Sequence, residues 1–409
     1  MNDGPKMTLL GKVVVALFIL GCFGGTYFFF FASKHEDNPP GPGGTNAPRQ
    51  ATGGPAVRQQ YSGPAVELGI AFGTEKQTWL EWAVREFAGT NEGQKIKINL
   101  IPKGSLEGAQ AISRDQDKRI HVWSPASALY KDVFVQDWQL KNGNNPILKE
   151  EPLALSPMVF VFWEERYNAF VNKYKEVSFT TIGQALSEKS GWEGIAQKPD
   201  WGLFKFGHTH PNQSNSGLMT LVLMAYTHHN KSRDLTLKDI LDEKYQEWMQ
   251  GVQRGVSGLS NSTGNMMKDM VLRGPSTYDA IFVYESVAID RLRNAEGRWG
   301  ALRVVYPKFN MWNDNPYYIL DVPWSTPDHR KAAETFLGFL MSDAVQKQAL
   351  NHGFRPGNPN VATKDVPDSP FVLYEKAGLK AELGTMCEPP RAEVINNLLA
   401  GWERNQGRR

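Results

Sequence analysis

The sequence predicts an α/β protein with two lobes, of mainly parallel sheets, preceded by an N-terminal transmembrane helix. Three observations lead there. From Val66 onward, short β-branched or apolar runs alternate with amphipathic stretches, the pattern of helices packed on parallel sheets. The 409 residues exceed one ordinary domain and suit two packed lobes plus accessory segments, each large enough to bury a core. Finally, Val13 to Ala32 reads VVVALFILGCFGGTYFFFFA, without a single charge.

That apolar run is the first element. At about 1.5 Å of rise per residue it is long enough to span a bilayer as a helix. A cleaved signal peptide has a shorter apolar stretch that ends in small residues. Here the run ends in Phe28-Phe29-Phe30-Phe31, which favours a retained anchor within residues 1–33. Ile19-Leu20-Gly21-Cys22 resembles the bacterial lipobox, so a lipid anchor at Cys22 is the rival reading; Phe23 and the apolar residues after it argue against it. Lys6 and Lys12 precede the run and Lys34 and Arg49 follow it, so the distribution of positive charge barely decides orientation. Residues 34–64 are rich in Pro and Gly and read as a semi-extended tether.

Strands are expected at Val66–Phe72, Lys95–Ile101, Arg119–Trp123, Met158–Trp163, Leu203–Phe206, Ala280–Tyr284, Leu302–Tyr306 and Tyr317–Val322. The clearest helices between them are Thr74–Phe87, Leu106–Ile112, Ser214–Thr227, Glu243–Val256, Gly264–Leu272, Ser286–Asn294, Pro327–Met341 and Ala344–Asn351. No repeat of fixed period appears.

Charge and cysteine content narrow the function. With 45 Lys+Arg against 43 Asp+Glu, no global field recruits nucleic acid. Cys22 and Cys387 are the only cysteines, so the globular part forms no internal disulfide and holds no thiolate zinc site. There is no G-x-S-x-G elbow, phosphate loop, G-x-G-x-x-G turn or H-E-x-x-H helix, and neither a cofactor nor a metal is expected.

Ligands of α/β sheets bind outside the carboxyl ends of the strands, where strands turn into helices. Four such turns share a chemistry: Gly73-Thr74, Lys103-Gly104-Ser105, Ser124-Pro125-Ala126-Ser127 and Ser214-Asn215-Ser216-Gly217. Each sets a hydroxyl and small residues at a helix start, where free backbone N–H groups face a crevice. Ser, Thr and Gly are also the ordinary cap and turn residues, so it is the repetition of the pattern that points to a polar or anionic ligand.

The order of Gly73-Thr74-Glu75-Lys76, Pro102-Lys103-Gly104-Ser105, Trp123 to Ser127, Gly207 to Gly217, Tyr284-Glu285 and Gly353-Phe354-Arg355-Pro356 resembles the bacterial extracellular solute-binding proteins of ABC transporters. The likeness is to the type 2 class, which includes molybdate and sulfate binders. The resemblance implies a Venus-flytrap fold with the ligand between lobes. Lobe 1 would comprise residues 65–153 and 321–409, and lobe 2 residues 154–320, with crossings near Pro152–Ser156 and Leu320–Trp324. It further implies ligand contacts at Thr74, Ser105, Ser124, Ser216 and Tyr284, to which the turn pattern adds Ser127 and Ser214. The expected partner is an ABC permease or another membrane complex, with the globular part extracytoplasmic.

Glu285, adjacent to Tyr284, also belongs among the candidate ligand contacts. If it faces away, it is the first-turn carboxylate of the following helix. If it faces the cleft, it repels an ionised anion and calls for a ligand with a donor or positive group. Two further readings belong to other classes: a membrane-anchored enzyme of two-lobed transferase-like fold using His208 and Glu285 as base and acid, and a ligand-free scaffold in a membrane signalling complex. Adjacent His228 and His229 point about 100° apart on a helix and cannot readily share a metal, and His208 and His210 are expected on a loop. Trp79, Trp82 and Trp248, and likewise Met266, Met267 and Met270, fall at helical core spacing.

Overall fold

The computed structural model describes residues 61–295 and 299–406. Its strands are β1 (Val66–Phe72), β2 (Ile96–Pro102), β3 (Val122–Ser124), β4 (Ile147–Pro152), β5 (Ala154–Leu155), β6 (Met158–Trp163), β7 (Phe206–Thr209), β8 (Leu259–Ser260), β9 (Ala280–Tyr284), β10 (Leu302–Val305), β11 (Pro316–Leu320) and β12 (Arg355–Pro356). They form two five-stranded sheets of order β2-β1-β3-β11-β4 and β10-β6-β9-β7-β8, with β5 and β12 paired as a small third sheet.

The expectation of mainly parallel sheets is corrected. β1 pairs parallel with β2 and β3, and β7 with β8 and β9. By contrast β11 runs antiparallel to β3 and β4, and β6 antiparallel to β9 and β10. Strands that arrive through a crossing rather than through a helix enter the sheet in the opposite sense, which local periodicity does not encode. β4, reading ILKEEP with an exposed charged middle, was invisible as a strand because edge strands carry charge. Two-residue strands such as β5, β8 and β12 exist only through their pairing.

Each sheet is buried by helices that the apolar spacing foreshadows. In the first lobe, Trp79, Leu80, Ala83 and Phe87 of helix Gln77–Ala88 pack with Phe336 and Leu340 of helix Pro327–Leu340 on Leu68, Ile70 and Phe72. In the second, every residue of helix Asn215–His229 from Asn215 to Tyr226 is buried, as an all-round apolar helix must be. It packs with the Met266, Met267 and Met270 stripe of helix Thr263–Arg273 in the main core.

The chain passes between the two sheets at residues 153–157, because β4 belongs to the first sheet and β6 to the second. Its return differs. β10 lies in the second sheet and β11 in the first, so the second crossing is 306–315, upstream of the expected Leu320–Trp324. The C-terminal boundary also moves. Helix Ala392–Gln406 buries Val394, Ile395, Leu398 and Trp402 in the second lobe's core. Tyr226 Oη donates to the Glu388 carbonyl at 2.7 Å and Trp402 Nε1 to Gln253 Oε1 at 3.0 Å. The tail therefore belongs to the second lobe, not to the first as the sequence suggested. Among the described residues no helix is long and apolar enough to cross a membrane; the apolar run 13–32 and Cys22 lie outside them.

Candidate functional site

Where the two lobes face each other, the chain forms a cavity of about 210 Å³ lined by Thr74, Ser105, Ser214, Asn215, Ser262 and Tyr284, with Glu75 in its wall. It adjoins an outer cavity of about 500 Å³ through shared residues Thr74, Glu75, Pro102 and Ser262. The first lobe supplies the ends of β1 and β2, and the second supplies the starts of helices Asn215–His229 and Thr263–Arg273 and the end of β9. Thr74 Oγ1 lies 3.5 Å from Ser262 Oγ across the gap. A Cβ on Gly104 would come within 2.9 Å of the Gln213 carbonyl oxygen. The lobes are thus in contact around the cavity, in a closed arrangement.

Of the eight residues singled out from sequence, Thr74, Ser105, Ser214 and Tyr284 line this cavity. Ser105 is also held in place, because its Oγ accepts from the Ala126 amide at 3.1 Å. Ser124 is fully buried behind the wall, its hydroxyl without a partner among the described residues. Ser127 caps the turn at Ala128–Tyr130 by accepting from the Leu129 amide, an ordinary capping role. Ser216 sits one layer down, in a buried hydroxyl chain with Thr209 and Thr263 at 2.6 Å and Ser214 at 3.2 Å. Gly217 allows that seat, since a Cβ there would stand 2.4 Å from the Thr209 carbonyl.

Glu285 faces away from the cavity. Its carboxylate is fully buried and takes both oxygens to Arg355, from Nε at 2.9 Å and Nη2 at 2.8 Å, while Tyr306 Oη donates to it at 2.5 Å. Two orientations were open from sequence, and a buried guanidinium decides between them. His208 is a strand residue rather than a loop residue, completely buried, with Nδ1 donating to the Thr209 carbonyl at 2.7 Å and Nε2 3.1 Å from Gln253 Oε1. Burial lowers its pKa to about 4. Neither His208 nor Glu285 lines the cavity, so the acid and base roles assigned to them in the enzyme reading have no geometry to act in.

Sequence reasoning missed the polar residues that connect the cavity to the crossings. Lys76 is wholly buried, and its ammonium donates to Glu75 Oε1 at 2.5 Å, to the Pro125 carbonyl at 3.1 Å and to Asn315 Oδ1 at 3.1 Å. Burial lowers its pKa, and Glu75 opposes that shift. Asn315 in turn donates from Nδ2 to the Ala154 carbonyl at 3.0 Å and the Asn313 carbonyl at 3.1 Å, so one side chain ties both crossings together. It does so at φ 43°, a left-handed conformation that Asn tolerates better than most residues. Asn313 Nδ2 donates to the Ser156 carbonyl at 3.0 Å, and its Oδ1 accepts from Asn215 Nδ2 at 2.8 Å. Asn215 Nδ2 also reaches Tyr284 Oη at 3.0 Å. Burial, then the negative charge of Glu75, pushes the Tyr284 hydroxyl well above its ordinary pKa, so it stays neutral. The one hint in the sequence was the polar run Asn313-Asp314-Asn315-Pro316 between two strands, which reads as a turn.

The model of the bacterial extracellular solute-binding protein family matches residues 68–355. The chain belongs to that family. Solved structures agree on the fold of this solute-binding protein. The sulfate-binding protein SubI of Mycobacterium tuberculosis is 14% identical, with 84% of this chain and 99% of that one covered and a TM-score of 0.52. A periplasmic thiamin-binding protein is 14% identical over 85% and 98% of the two chains, with a TM-score of 0.56. The iron-bound protein HitA of Pseudomonas aeruginosa is 12% identical over 84% and 99%, at 0.53. No curated protein matches the chain in sequence. The protein is a solute-binding protein, and family membership puts its globular part outside the cytoplasm.

Proposed function

We propose that this solute-binding protein captures a small polar solute between its lobes, catalyses nothing, and presents the closed form to a membrane permease of an ABC-type importer. The cavity at the lobe junction carries this reading, since its polar wall is drawn from Thr74 and Ser105 on one side and Ser214, Asn215 and Tyr284 on the other. A ligand that touches both walls stabilises the closed form over the open one, which is all that a population shift requires. Micromolar affinity corresponds to about 8 kcal/mol net. Hydrogen bonds to charged groups contribute ~1.5–3 kcal/mol each, so residues of both lobes must act together. The apolar run Val13–Ala32 and the Pro/Gly-rich residues after it would tether the receptor beside its permease with reach to spare.

Titration calorimetry against amino acids, polyamines, sugars and oxyanions tests this, combined with small-angle scattering. One compound should give saturable heat and a smaller radius of gyration. The bulky variant Thr74→Tyr should abolish both while unfolding at the wild-type temperature. Silence across the panel, or binding indifferent to Thr74→Tyr, sinks the proposal.

A further inference from the structure

Resting on the solute-binding reading, the charges and hydrogen-bonding groups around the inner cavity narrow the ligand class. Among the described residues, the one cation in the inner cavity wall, Lys103, is already paired with a carboxylate. Lys103 Nζ lies 3.1 Å from Glu107 Oε1, so the two charges at the rim answer each other. The ammonium of Lys76 has three protons, and all three are spent on Glu75, Pro125 and Asn315.

Acceptors, in contrast, are left over. Glu75 Oε1 takes the Lys76 proton, and Oε2 has no donor among the described residues. Asn215 is 3% exposed and its Oδ1 is buried without a partner. That amide cannot simply be turned over. Asn313 Nδ2 is committed to the Ser156 carbonyl, so Asn313 Oδ1 must receive a proton, and Asn215 Nδ2 supplies it at 2.8 Å. Asn215 Oδ1 therefore remains an acceptor in a residue of the cavity wall.

The donors that do remain are neutral. Helices Ser105–Ser113, Asn215–His229 and Thr263–Arg273 all start at the cavity, and the first two N–H groups of each have no acceptor among the described residues. They favour a compact negative group without supplying a full charge. One side of the cavity thus asks for a donor and the other for an anion.

We propose that the inner cavity selects a small zwitterionic solute, placing an ammonium group against Glu75 and Asn215 Oδ1 and a carboxylate on the helix starts, and rejects free tetrahedral oxyanions. A dianion would set its charge against Glu75 and Asn215 Oδ1, with only the Glu107-paired ammonium of Lys103 at the rim to compensate. The neutral Tyr284 hydroxyl, already accepting from Asn215, has its own proton to give to the carboxylate.

Calorimetry on the full chain with glycine, L-alanine, L-glutamine, methylammonium, acetate, sulfate and molybdate tests the class. At least one amino acid should bind saturably, at least tenfold tighter than methylammonium or acetate, and sulfate and molybdate should give no saturable heat. Glu75→Gln should weaken the amino acid at least tenfold. Since that change strands the Lys76 charge, the double variant Glu75→Gln/Lys76→Met removes both charges and should show the same loss if the single variant fails to fold. Saturable sulfate or molybdate binding without amino-acid binding overturns the zwitterion class and leaves the receptor reading standing. Amino-acid binding untouched by the Glu75 variants overturns the class as well. No saturable heat from any of the seven compounds overturns the zwitterion class, and the receptor reading falls with it only if the sugars and polyamines are silent as well.

Discussion

Glu75 and Glu285 are both carboxylates beside a cation, and they have opposite consequences. Glu285 is gripped on both oxygens by Arg355, with Tyr306 as a third donor. The guanidinium continues to the carbonyls of Lys380 at 2.6 Å and Ala381 at 2.5 Å, fastening the tail to the hinge strand β12. Both carboxylate oxygens and all three guanidinium nitrogens are engaged, so the pair is a clamp. Glu75 meets a single ammonium through one oxygen and lines a cavity with the other unanswered. A carboxylate is available to a ligand only where the fold leaves one of its acceptor positions empty and within reach.

Removing the clamp should have the largest effect. Arg355→Met leaves a fully buried carboxylate uncompensated, and breaking such a pair costs about 3–5 kcal/mol, read by chemical denaturation. Ligand affinity in the folded fraction should stay within about twofold. A loss of affinity instead would place the Glu285 pair in the binding machinery and break the contrast. Lys76→Met should cost less, about 1–3 kcal/mol, because water in the cavity can hydrate the carboxylate left behind. An equal cost for both variants would show that Glu75 is as enclosed as Glu285.

Smaller effects follow for other groups walled off as Glu285 is. His208 is held neutral, with its pKa down at about 4 from an ordinary 6.5. Its unfolded form therefore binds the proton first as pH falls. Stability should be complete above about pH 6.5 and decline toward pH 4 by up to about 1.4 kcal/mol per pH unit. His121, stacked on His329 at 3.8 Å between ring centroids, is lowered to about 4 by burial and by that neighbour, and acts in the same direction. Thermal melts from pH 7 to 4.5 should show a shallower decline for His208→Gln than for wild type; parallel curves would mean that His208 is hydrated in the folded state. Last, burial pushes the Cys387 thiol up to about 12. Iodoacetamide at pH 8 should modify it far more slowly in the native protein than in urea, and fast native labelling would show the tail detaching from the second lobe.

Much of this was legible in local sequence, because it is a property of adjacent residues. Val66–Phe72, Met158–Trp163 and Ala280–Tyr284 are strands at their expected bounds, since a short β-branched or aromatic run declares itself. The hydroxyl turns at Thr74, Ser105 and Ser214 stood where strand meets helix, and all four turns supply cavity residues, the third through Ala126 rather than a hydroxyl. The sequence by itself determined the two-lobed α/β class, the family and the polar character of the cleft.

Tertiary structure alone decided which carboxylate faces the ligand. Glu285 was singled out because it follows Tyr284, yet Arg355, seventy positions on, turned it inward. Glu75 stood in plain view but gained meaning only when Lys76 met Asn315 across 239 residues of chain. The return crossing, the antiparallel strands and the lobe that holds the tail were likewise settled by pairing at a distance. Charge and hydrogen-bonding capacity are written in the residue, whereas whether that capacity is spent or left open depends on neighbours that only the folded chain brings together.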